Sequence, residues 1–206
     1  MGMAMELFAV RELTMQRLLA DPPLIWQLIA PDEPEMYEEA RSEAQRNELG
    51  FLSRLFGRKA VGAKATYVPP LQLAEGEGPV ADLDKAWHGL HFLLTGAADG
   101  GNTPLDFLVV GGDDVGTVDV GYGPARVLRP ALVAEIALKL VALPDAELQS
   151  RFDGAAMSTE KIYPDIWERD PADDDTLGYL MENLVGLRKA VADAAAMGHG
   201  LVIILH

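Results

Sequence analysis

The sequence predicts an α/β fold: a single domain in which a mixed β-sheet is covered by helices as a layered α/β sandwich. Three observations carry this. Short apolar runs stand at the two ends, M-A-M-E-L-F-A-V at Met3 to Val10 and L-V-I-I-L at Leu201 to Leu205, and runs of that length read as buried strands. Asp173 to Gly198 has the apolar spacing of a long amphipathic helix, with Leu177, Leu180, Met181, Leu184, Leu187, Val191 and Ala194 on one side. Asp82 to Gly96 carries a complete helix signal, with start and stop residues at its ends. A chain of 206 residues, nearly half of them hydrophobic, suits one such domain.

Met3 to Val10 is the first expected strand, and the two terminal strands are expected to meet in one sheet. Glu12 to Ala20 reads as a short helix with Leu13, Leu18 and Leu19 inward, stopped by Asp21-Pro22-Pro23 because proline lacks a donor and restricts its predecessor. Leu24 to Ile29 adds a further helical turn or two. Glu35 to Phe56 is a long helical pattern, acidic early (Glu35, Glu38, Glu39, Glu43, Glu48) and basic late, an order that suits the helix dipole. Tyr67 to Val80 reads as a loop or extended crossing. In the central helix, Asp82 or Asp84 is the candidate N-cap and Gly96 the left-handed stop. Leu83, Trp87, Leu90, His91 and Leu94 share its buried face. Leu105 to Val110 is expected as a strand that packs on Trp87 and Leu94. Gly111-Gly112 ends that strand, Asp113 to Gly123 reads as a Gly-rich acidic stretch, and a short strand follows at Arg126 to Leu128. Helices are expected at Pro130 to Leu143, with proline in its favoured first turn, and at Pro144 to Phe152. Short pieces broken at Pro164 fill Gly154 to Trp167.

The stretches D-K-A-W-H-G-L-H-F-L-L-T-G, P-L-D-F-L-V-V-G-G and V-G-Y-G-P-A-R-V-L, then R-F-D at Arg151 to Asp153 and I-Y-P-D-I-W at Ile162 to Trp167, together resemble the YfbM-like family of small bacterial proteins, a domain of unknown function. The resemblance covers most of the chain in order and is weakest from about 35 to 79. It implies a compact α/β fold with a sheet between helices, and it implies no activity.

The formal net charge is −15. Nucleic acid is a poor partner for such a surface, whereas a basic protein could be drawn to it. No cysteine is present, which excludes disulfides, thiolate metal sites and a cysteine nucleophile. Met1 to Arg11 lacks the pattern of a signal peptide, and no apolar run is long enough to span a bilayer, so the expected compartment is the cytoplasm with no membrane contact. The basic-apolar stretch Gly50 to Lys64 departs from the acidic background. Its expected place is on the protein's own core, with Phe51, Leu52, Leu55 and Phe56 inward; the alternative is contact with an anionic membrane or a partner groove.

Three constellations could carry function. His88 and His91 are three apart on the central helix, so they neighbour each other and could share a metal, with Asp84 orienting His88. H-x-x-H is a weak motif without a third ligand, and His91 lies on the apolar face; a buried structural histidine is expected, with no metal and no cofactor. The stretch from Gly111 to Arg126 combines five glycines with Asp113, Asp114, Asp119, Tyr122 and Arg126, polar groups on a chain that a ligand could approach closely. It matches neither a phosphate loop nor a calcium loop. Arg126, stiffened by Pro124, is expected to form a forked pair with an aspartate, Asp84 being the long-range option. The third is Tyr163 and Trp167, whose apolar bodies and polar tips suit a binding surface, within an acidic segment of ten carboxylates against three basic groups from Asp145 to Asp175.

Two functions follow as expectations. One is a non-catalytic protein-binding module, antitoxin- or immunity-like, that uses the acidic surface near Trp167. The other is a small-molecule-binding protein or enzyme with a cleft between the 82–96 helix and the 111–126 loop. The partner, the substrate and the oligomeric state are not legible in the sequence.

Overall fold

The computed structural model describes residues 2–56 and 68–206, with side chains omitted for 48–56. The strands are β1 (Met5–Val10), β2 (Gly78–Asp82), β3 (Asp113–Asp119), β4 (Pro124–Leu128) and β5 (Gly200–Leu205). They form one sheet in the order β2-β1-β5-β4-β3. The terminal strands pair as expected: Met5 lies opposite Leu205 and Val10 opposite Gly200. All four pairings are antiparallel, so the sheet is more uniform than the mixed one anticipated.

Alternation along the strands gives the sheet two buried faces. Met5, Leu7, Ala9, Leu128, Leu201 and Ile203 face one core; Phe8, Val10, Ala125, Val127, Val202 and Ile204 face the other. The second core is covered by α1 (Glu12–Ala20), α2 (Ile25–Ile29) and the start of α3 (Pro34–Phe56). The first is covered by α4 (Trp87–Thr95), α5 (Pro130–Ala142), α6 (Asp145–Ser150), α7 (Gly154–Thr159) and α8 (Thr176–Ala196). The result is the predicted layered α/β arrangement, helices on both sides of a sheet.

α4 is buried over seven of its nine residues. Gly96 ends it in the left-handed conformation, at φ 76°. Asp82 lies in β2, and its carboxylate accepts from the Asp84 amide at 2.7 Å, making a local turn in place of a helix cap. The helix buries Phe92 and Leu93 as well as the predicted face. Gly89 lets it approach its neighbours: a Cβ there would lie 2.6 Å from the Trp167 ring and 2.7 Å from Leu180.

Several expectations are corrected. Leu13 points outward, 65% exposed, and Thr14 and Met15 take the inward places. Residues 105–110 form turns instead of a strand: the Leu105 amide donates to Asn102, and those of Val109 and Val110 to Asp106. Part of the Gly-rich stretch is a strand, β3, joined to β4 by a tight turn. Its ladder is irregular between Asp114 and Asp119; there Gly116, at φ 59°, leaves room for Pro22, which a Cβ would strike at 2.6 Å. The basic-apolar stretch 50–64 lies outside the described side chains.

Candidate functional site

The sequence-predicted residues separate into three places. Trp87, His88 and Tyr163 come together under the N-terminal strand. The His88 ring stacks on Trp87 with centroids 4.8 Å apart and planes within 6°, and Tyr163 lies 6.2 Å from Trp87. The Tyr163 amide donates to His88 Nδ1 at 3.0 Å, so that nitrogen holds a lone pair; Nε2 then carries the proton and donates to the Ala98 carbonyl at 2.9 Å. Both nitrogens of His88 are thus spent on backbone. Asp84 does not orient it: the Asp84 carboxylate accepts from the Tyr179 hydroxyl at 2.9 Å, whose pKa is raised by burial and by that carboxylate. Tyr163 and Trp87 also bind the start of the chain, through the Met3 amide (2.9 Å) and the Met3 carbonyl (3.4 Å).

His91 is fully buried, and no hydrogen bond of ordinary geometry reaches either ring nitrogen. Burial, then the neighbouring His88, pull its pKa down to about 4, against the opposing pull of Asp106, the Gly100 backbone and Asp99. Among the described residues, no three metal-ligating side chains converge.

Trp167 is core and not surface: it is buried, and its indole donates to the Ile162 carbonyl at 2.8 Å. The R-F-D motif is structural in the same way. Arg151 donates to the Leu93 and Leu94 carbonyls at 2.9 and 3.1 Å, capping the end of α4, and Asp153 caps α7 through the Ala156 amide at 3.0 Å.

The second place is Arg126. It makes no forked pair with an aspartate. Its guanidinium turns inward and donates to the carbonyls of Phe107 (3.2 and 3.3 Å), Leu108 (2.7 Å) and Gly111 (2.7 Å). Burial lowers its pKa, and Asp114, opposite it in the ladder, partly compensates. Arg129 is the arginine that meets an aspartate here: its Nε and Nη2 both reach the single Oδ2 of Asp113, at 2.9 and 2.7 Å, on the surface. Arg126 itself is tied to the turns at 107–111.

The Gly-rich stretch lines a cleft with α3. Thr117, Val118 and Asp119 at the end of β3 face α3 across a depression of about 250 Å³. Trp26, Met36, Ala40, Ala44 and Val118 supply apolar surface, and Glu39, Glu43 and Asp119 supply carboxylates. Asp119 is fixed by the Gly121 and Gly123 amides at 2.8 and 3.1 Å, which lower its pKa and keep it charged. Trp26 also borders a second depression of about 310 Å³, with Pro31, Pro34, Tyr37 and Leu71. The acidic start of α3 was visible in the sequence as a dipole pattern. Trp26 and Met36 carried no signal of their own. Tyr122 is left exposed at the hairpin tip, where its backbone amide donates to the Leu205 carbonyl.

These features define a layered α/β protein whose distinctive motifs are spent on holding α4, the 102–111 turns and the first strand together. The chain belongs to the family described as Domain of unknown function (DUF1877), whose profile matches residues 1–204. In structure it is similar to the protein of unknown function YfbM from Escherichia coli, with a TM-score of 0.60 at 17% identity over 98% of this chain and 99% of that one. No curated protein matches it. Among the described residues, no helix is long and apolar enough to cross a membrane.

Proposed function

We propose that the protein is a non-catalytic binding module of the cytoplasm that takes a basic segment of another protein into the cleft between α3 and β3. The observation that carries this reading is the pairing of an apolar floor around Trp26 and Met36 with carboxylates at Glu39, Glu43 and Asp119, on a chain of net charge −15. Apolar anchors at the centre with charge at the rim are how protein interfaces combine affinity with steering. An antitoxin- or immunity-type role, in which such a surface covers a basic site on a toxin, is the biological form of the proposal. The residues selected for chemistry in the sequence do not compete with it: His88, Arg126 and Trp167 are committed to backbone carbonyls and amides.

The test is a photo-cross-linking residue at Ala44, used in living cells. A single discrete adduct with a basic protein is expected, lost in the Glu39→Lys/Glu43→Lys variant and weakened in extracts at high salt. The same adducts from a control position at Gln149, or an adduct indifferent to the charge reversals, would remove the cleft from consideration.

A further inference from the structure

α5 buries Val133, Ile136 and Leu140 against the sheet. Its opposite side is not polar, as an outer helix face ordinarily is. Ala131, Ala134, Leu138 and Val141 recur at helical spacing along it, with Leu138 74% and Val141 79% exposed. Among the described residues nothing covers this stripe. α8 packs beside α5, and Arg188 donates to the Leu143 carbonyl at 2.6 Å where α5 ends. On α8, Val185 is 65% exposed, one turn before Arg188.

We infer that this face pairs with the same face of a second copy of the chain, the two α5 helices running antiparallel about a two-fold axis near Leu138. Charge identifies the occupant. The exposed face of α5 carries one acid and one base, Glu135 and Lys139, side by side on one flank of the stripe. In an antiparallel pair related by a two-fold axis, residues on one flank meet their own counterparts in reverse order. With the axis between positions 135 and 139, Glu135 of each copy faces Lys139 of the other, and both pairs form at once. A parallel pairing would set both charges against the opposite, uncharged flank around Val141. The face is also locally neutral on a chain of net charge −15, so two copies repel least when they meet here. Isologous contacts of this kind are the common route to dimers. One helix face and its neighbour fall short of the roughly 800 Å² per partner of a standard interface, so the association is a weak one, in the micromolar range. The α3–β3 cleft lies on the other side of the sheet, and the inference stands independently of the function proposed for it.

Sedimentation equilibrium of the full chain from about 1 µM to 1 mM tests it. A monomer–dimer equilibrium is expected, weakened at least tenfold by Leu138→Glu, with the far-UV circular dichroism and melting temperature unchanged because the side chain is exposed. Glu135→Lys and Lys139→Glu each place like charges opposite one another and should weaken the dimer; the double variant, with both charges exchanged, should restore it. A protein monomeric throughout, a dimer indifferent to Leu138→Glu, or a double variant as weak as the singles would each overturn the inference.

Discussion

Replacing Arg126 with methionine keeps the aliphatic stem and removes the fork. Three carbonyls lose their donor: Phe107, Leu108 and Gly111. Gly111 is exposed, and its oxygen can return to water. Phe107 and Leu108 are each 1% exposed, so their oxygens stay stranded unless the turns open. An unpaired buried acceptor costs about 1–3 kcal/mol, which puts the gross penalty for two at about 2–6 kcal/mol. Removing a cation that burial already disfavours returns part of this. The net expectation is a loss of about 2–4 kcal/mol, in the range seen when a buried charged network is broken. Urea unfolding should show a lower midpoint at unchanged slope. Hydrogen exchange should show the amides of Leu105, Val109 and Val110 exposed first. Arg126→Lys should recover less than half of the loss, since an ammonium cannot reach three carbonyls at once. A loss below about 0.5 kcal/mol, the level of an ordinary surface site, would refute the bracing role. Full recovery by lysine would show that charge facing Asp114 matters and the fork does not.

Gly89→Ala should destabilise by about 1–3 kcal/mol through overpacking, although alanine is the better helix former by about 1 kcal/mol; the near-ultraviolet signal of Trp167 should change with it, and a raised melting temperature would contradict the 2.6 Å approach to that ring. His91 makes stability depend on pH. Its folded pKa is about 4 against an ordinary 6.5, so between those values the unfolded chain binds the extra proton. Stability then falls as pH drops below about 6.5, and the loss is complete below about 4. His91→Leu should show a shallower fall in urea midpoint between pH 7 and 4.5, and identical slopes for variant and wild type would rule out this origin.

Periodicity made most of the fold legible. Apolar runs at the two ends gave β1 and β5 and their pairing, helical spacing gave α1, α5 and α8, and Gly96 marked the end of α4. The failures share a cause, which is that distant residues decide the outcome. The apolar run at 105–110 has strand length and composition, but it turns so that its carbonyls meet Arg126, some nineteen residues on. β2 contains Pro79 and β3 contains Gly116, both poor strand formers, and each is held by a neighbouring strand with no help from local preference. Trp167 looked amphipathic in isolation; its indole partner, Ile162, is five residues away, but the space it fills is made by Gly89 on α4. The cleft is least legible of all, because α3 and β3 are separated by about sixty residues and nothing local in either shows that they meet.

The central position of β5 has a consequence for synthesis. Its partners are β1 on one side and β4 on the other, so β1 (Met5–Val10) waits for residues 200–205, about 190 residues further along the chain. Until then Phe8, Val10 and their neighbours have only β2 to pair with, and long-range pairing of this kind forms slowly and leaves apolar strands open to aggregation. A chain that stopped before Gly200 would hold two separate strand pairs, β2 with β1 and β4 with β3, each too small to stand in water. Loss of a few codons near residue 200 would therefore act on the whole protein at once, leaving the nascent chain to chaperones and proteases.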